Sequence, residues 1–191
     1  MASSDQTPLI ALLYSDDCSV DAEIAALAAH FGAAKYRVAG FVQHARNRPG
    51  YSRCDMILEE LTTRTKFEIS QDRGPQARGC RLNEDALLEA MQCAKKAIED
   101  HDVDLLILNK FGKAECEGRG FRPLITDALE RGIAVLVPVP LKNQEAWREF
   151  AGDLAIDIEV GEQVTFSWLH GVVMRSLCQG PAAVQQYGSA S

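Results

Sequence analysis

The chain contains no CxxC pair. Its six cysteines, Cys18, Cys54, Cys80, Cys93, Cys116 and Cys178, are scattered, and no histidine stands at a zinc-ligand spacing from any of them. This excludes a structural zinc site and a disulfide framework, and it fits free thiols in a reducing compartment. Excess positive charge is lacking too. With a formal net charge of -7, the broad cationic surface needed for nonspecific nucleic-acid binding is absent, so any anion site has to be local. Long apolar runs are also missing: IAVLVPVPL, residues 133 to 141, is far short of the ~20 residues that cross a bilayer. The opening MASSDQTPLIALLY has no basic n-region and reads as a first strand rather than a signal peptide, which predicts a cytoplasmic protein without a membrane span.

What is present is an alternation. At 191 residues, 47% of them hydrophobic, the chain can bury one sizeable core, and a single α/β domain over residues 1–180 is expected, with PAAVQQYGSAS (181–191) as a disordered tail. Short apolar runs alternate with segments of helical period, which predicts a mostly parallel sheet flanked by helices. PLIALLY, RVAGFVQ, VDLLILN, IAVLVPV and LAIDIEV read as strands. Val20, Ile24, Leu27, Ala28 and Phe31 make one helical face, with Ser19 as its cap, and Asn83 caps a second helix carrying Leu87, Met91, Ala94 and Ile98. Pro123 suits the first turn of a third helix, and NQEAWREFAG reads as a fourth. Residues 44–70 form an insertion: a polar loop, HARNRPGYSR, followed by paired strands. It carries Tyr51, Met56, Ile57, Leu58 and Phe67, too many apolar side chains for so short a segment to bury alone, so a homo-oligomer through this segment is expected.

A strand, loop and helix at the start invite comparison with the phosphate-binding loop GxxxxGK[ST]. The loop here is SDDCSVDA, with Asp21 where the lysine would stand and no glycine between Tyr14 and Gly32. Without glycine the backbone cannot readily aim several N–H groups at a phosphate, and Asp16, Asp17 and Asp21 would repel it. A standard ATPase of that kind is not expected. The three aspartates could hold a divalent cation, or they serve as turn, cap and first-turn acids of the helix.

Cationic chemistry gathers in two other places. RGPQARGCRL (73–82) puts Arg73, Arg78 and Arg81 in a loop broken by Gly74, Pro75 and Gly79, just before the helix capped by Asn83. Guanidinium forks and backbone N–H groups could converge there on a tetrahedral oxyanion, or the arginines could pair with Asp72, Glu84 and Asp85. NKFGKAECEGRGF (109–121) follows a central strand, where open α/β sheets bind ligands, and supplies Asn109, Lys110, Lys113 and Arg119. Cys80 and Cys116 lie in these two loops and are either activated thiolates or small buried hydrophobes. His44 could act as a switchable donor or a base.

The order of GFVQHARNRPGYSRCDMIL, ISQDRGPQARGCRL and ILNKFGKAECEGRGFRPLI resembles a bacterial family of unknown function, domain-of-unknown-function family 2478, whose members are loosely labelled molybdenum-transporter ATPases. The resemblance covers roughly residues 8 to 170. The chain also looks like a distant, altered relative of the small nucleoside-triphosphatases, which implies their scaffold with a degenerate phosphate loop. In that family the strand matching LLILN ends in two acidic residues that hold magnesium. Asn109 and Lys110 stand there instead, while Gly112, Lys113 and Glu115 of the following run remain. The resemblance further implies an association with molybdate uptake or molybdenum enzymes.

Three functional classes follow. The leading expectation is an oxyanion-binding protein for molybdate or tungstate, its ligand site drawn from Arg73, Gly74, Arg78, Gly79, Cys80, Arg81, Asn109, Lys110, Lys113 and Arg119, with no catalytic residue assigned. The alternatives are a nucleotide-binding enzyme with a non-standard phosphate site and an interaction protein that docks an acidic partner.

Overall fold

The computed structural model of the chain describes residues 7–15, 20–47, 49, 54–71, 82–160, 171 and 174. The arginine loop 73–81, the loop residues 16–19 and the expected tail 181–191 lie outside the described residues. In chain order the elements are β1 (Leu9–Tyr14), α1 (Asp21–Ala33), β2 (Val38–Arg46), β3 (Asp55–Glu60), β4 (Lys66–Glu68), α2 (Glu84–Asp100), β5 (Leu105–Ile107), α3 (Lys113–Cys116), α4 (Arg122–Glu130), β6 (Ala134–Pro140), α5 (Gln144–Ala151) and β7 (Ala155–Glu159).

The strands join one sheet in the order β4-β3-β2-β5-β6-β1-β7. From β2 to β7 all neighbours are parallel, while β3 and β4 extend the sheet antiparallel. Every residue of β1, β5 and β6 is buried, which is what continuous apolar runs achieve only when helices cover both faces. On one face α1 seals Ile10, Leu12, Leu105, Ile107 and Leu136 beneath Ile24, Leu27 and Phe31. On the other, α2, α4 and α5 press Ala90, Ala94, Leu124, Ile125 and Trp147 against Leu9, Ala11, Leu106 and Val135. Each large side chain removed from water in these cores contributes roughly 1.5–3 kcal/mol.

Local signals explain most boundaries. The Asn83 side chain accepts from the Ala86 N–H at 3.2 Å and caps α2, and Pro123 falls in the first turn of α4. Gly40, at φ +98, lets β2 run so close to β5 that a Cβ would collide with the Ile107 carbonyl.

Some expectations need revision. Helix α1 begins at Asp21 after Val20, with no side-chain cap. Strand β2 does not end at Gln43 but continues through His44, Ala45 and Arg46, where the polar side chains of His44 and Arg46 are tolerated because this end pairs with β3 while remaining exposed. The paired strands of the 44–70 segment form as expected: Leu58 is fully buried, Met56 and Phe67 are partly buried against the main core, Ile57 is half-buried, and Tyr51 lies outside the described residues. No helix among the described residues is long and apolar enough to cross a membrane.

Candidate functional site

The chain leaves β1 through α1 on one face of the sheet and leaves the neighbouring β6 through α5 on the opposite face. Where adjacent connections diverge in this way, a crevice opens at the carboxyl ends of the strands. It is present here as a cleft of about 520 Å³, with Tyr14 and Pro140 at the strand ends, Asp21 from α1, Lys110, Gly112, Lys113 and Cys116 from the segment after β5, and Lys142 and Asn143 from the turn before α5. Among the described residues, three ammonium groups and one carboxylate thus line a single concavity.

The segment carrying Lys110 and Lys113 is held from below. Phe111 is fully buried and meets Trp147 edge-on, with ring centroids 5.2 Å apart. Its N–H donates to the Pro138 carbonyl at 2.8 Å, and its own carbonyl accepts from Asn143 Nδ2 at 2.7 Å. The buried Glu115 closes the same segment by accepting the Gly112 and Phe121 N–H groups, each at 2.9 Å. Burial pushes the Glu115 carboxyl above the usual range, partly opposed by those N–H groups. A bulky aromatic anchor and a buried carboxylate together fix a stretch that, apart from the single turn α3, has no regular structure.

Not all the expected ligands meet in the cleft. Lys110 and Lys113 line it; Lys110 approaches Asp21 at 3.8 Å and Lys113 approaches Glu117 at 3.6 Å. Asn109 is buried beneath, where its Nδ2 donates to Gln43 Oε1 at 3.1 Å. Arg119 turns toward a separate groove beside α2 and pairs with Glu84 at 3.0 Å and with Glu117, so its charge is already committed to carboxylates. Arg73, Gly74, Arg78, Gly79, Cys80 and Arg81 lie outside the described residues. The flanks of their loop are joined by a bridge between Ser70 and Leu82, and Glu84, just beyond, is the partner of Arg119.

Cys116 borders the cleft, but its thiol is pushed up by burial and by the neighbouring Glu115, the opposite of an activated thiolate. His44 pairs with Glu59 at 3.2 Å on the antiparallel extension rather than in the cleft. Among the described residues no group of three or more acidic, histidine or cysteine side chains is placed to hold a metal ion. Sequence reasoning missed Tyr14, Lys142, Asn143 and Gln43. The first three could have been found by taking the residues that end or follow the two strands flanking the crevice.

Residues 9–168 match the family described as "Protein of unknown function (DUF2478)". A curated relative, the "Molybdenum import ATP-binding protein ModC 2" of Bradyrhizobium diazoefficiens, is 35% identical over 169 residues. That match takes in 87% of this chain but only 18% of the relative, so the chain spans less than a fifth of that protein's length. Among solved structures, a human cancer-related nucleoside triphosphatase superposes with a TM-score of 0.61 at 16% identity, covering 96% of this chain and 100% of that one. THEP1 from the hyperthermophile Aquifex aeolicus superposes at 0.56 and 14% identity, covering 93% and 99%. The chain has the fold of these small triphosphatases.

Proposed function

The chain belongs to the DUF2478 family, and for this member we propose a binding protein for a small tetrahedral oxyanion, held in the cleft at the ends of β1 and β6. The observation that carries the reading is the convergence of Lys110, Lys113 and Lys142 on that cleft, in a chain whose first loop lacks the glycines and lysine of a phosphate loop. A concavity in which one sign of charge outnumbers the other concentrates counter-ions, and charge-assisted N–H···O bonds are the strong ones. Arg73, Arg78 and Arg81 are proposed to complete the site from their loop, whose flanks Ser70 and Leu82 are bridged just before α2. Molybdate and tungstate are the proposed ions, because a relative's name concerns molybdenum import.

A second reading rests on size. A cleft of about 520 Å³ falls in the range of sites for small organic molecules, and the fold is that of triphosphatases, so a nucleotide bound through the same lysines is the competing ligand.

A calorimetric and thermal-shift screen of molybdate, tungstate, sulfate, phosphate and ATP separates the two. Molybdate or tungstate at 100 times its dissociation constant stabilises the protein by about 2.7 kcal/mol, and Lys110→Ala or Arg78→Ala weakens binding about ten-fold or more. Stabilisation by ATP alone replaces the first reading with the second. No effect of any anion at millimolar concentration rejects both.

A further inference from the structure

Four residues at the cleft close a ring. Asn109, buried just past β5, donates through Nδ2 to Gln43 Oε1 at 3.1 Å, and Gln43 Nε2 donates to Asp21 Oδ2 at 2.9 Å. Asp21 Oδ1 in turn lies 3.8 Å from the ammonium of Lys110, the residue that follows Asn109 in the chain. The direction of the two amide bonds is forced. An ionised carboxylate only accepts, so the Gln43 nitrogen has to face Asp21 and its oxygen has to face Asn109. Satisfying the buried Asn109 amide needs only that oxygen, which a glutamate would supply equally well; beside Asp21 only a donor serves. The contact with Lys110 is of another kind. At 3.8 Å it is an attraction between charges and too long for a hydrogen bond, so Asp21 leaves the three N–H donors of the ammonium to other acceptors.

Building on the oxyanion reading above, we propose that Gln43 is a positioning residue of the cleft: by holding one oxygen of Asp21 it competes with Lys110 for that carboxylate and keeps the ammonium free for the anion. Among the described residues, Gln43 and Lys110 are the two partners of Asp21. With the Gln43 amide removed the carboxylate is left to Lys110, and the pair closes to hydrogen-bond length. An incoming anion then has to break a charge-assisted bond before it can take the ammonium. The effect runs through Asp21 and does not depend on the net charge of the cleft.

The test is a double-mutant cycle read by calorimetry with sodium molybdate, on wild type, Gln43→Met, Asp21→Ala and the double variant. Gln43→Met weakens molybdate binding by about ten-fold where Asp21 is present and by less than about two-fold in the Asp21→Ala background, which is the scatter of uncoupled sites. An equal loss in both backgrounds means that Gln43 acts only by satisfying Asn109, and an unchanged affinity in the first means that it does not act on Lys110. Either result overturns the inference while the oxyanion reading stands. Gln43→Asn, a shorter amide that cannot span Asn109 and Asp21 together, takes the place of Gln43→Met if that variant does not fold. The crystal structure of the Gln43 variant without anion is a second readout: Lys110 Nζ is expected within about 3 Å of an Asp21 oxygen, and a separation still near 3.8 Å overturns the inference. If wild type binds no molybdate, the oxyanion reading has itself failed, whatever that distance shows.

Discussion

Gly120 stands directly against the carboxylate of Glu115: at φ +63 its missing side chain leaves the space that Oε1 fills, and a Cβ there would overlap that oxygen. The carboxylate in turn fixes both ends of the segment that carries Lys113, through the Gly112 and Phe121 N–H groups. The cleft wall therefore depends on a residue pair that touches no ligand.

Gly120→Ala is expected to destabilise the protein by at least ~2 kcal/mol, from left-handed backbone strain together with displacement of Glu115. Thermal denaturation checks this, with Gly32→Ala as the contrast. Gly32 sits in α1 with nothing within 4 Å of a new Cβ, so that substitution is expected to stabilise by about 0.5–1 kcal/mol. Equal effects at the two positions would contradict the account of Glu115.

Glu115 also gives stability a pH dependence of known sign. Burial raises its folded-state pKa above the unfolded value, so its contribution is fully present below the unfolded pKa and is lost as pH rises through the folded one. Glu115→Gln removes that titration and one of two hydrogen-bond acceptors. Urea denaturation of both proteins between pH 4 and 8 should show the wild-type advantage largest at the acid end and shrinking as pH rises. An advantage that grows with pH would mean the two N–H bonds outweigh the burial.

Asn143→Ala leaves the Phe111 carbonyl without its 2.7 Å donor, and a buried acceptor stripped of its partner costs about 1–3 kcal/mol. Because Phe111 stands between Lys110 and Gly112, oxyanion affinity should also fall, by about ten-fold. Calorimetry on Asn143→Ala, compared with a core variant of similar stability such as Ile125→Val, checks that the loss of affinity does not simply track stability.

Much of this fold is readable from periodicity because β1, β5 and β6 are buried on both faces and α2 announces itself through Asn83 and its apolar stripe. The continuation of β2 through His44 to Arg46 is not readable, since His44 and Arg46 mimic a loop and only pairing with β3 makes the stretch a strand. At the site, Asp21 in the place of a phosphate-loop lysine and Lys110 in the place of an acidic residue are each visible alone. Their approach to within 3.8 Å is a property of the sheet order, which sets β5 and β1 on either side of β6. Arg119 misleads for the converse reason: its position in the segment is right, but Glu84 and Glu117 draw it to the other side.

The most direct test of an oxyanion site in this cleft is anomalous diffraction from crystals grown or soaked with sodium tungstate. The account predicts an anomalous peak at tungsten within hydrogen-bonding reach of the Lys110 and Lys113 ammonium groups, lost in Lys110→Ala crystals of the same form. A cleft without tungsten at concentrations that saturate binding in solution, or tungsten bound only elsewhere on the molecule, would contradict it.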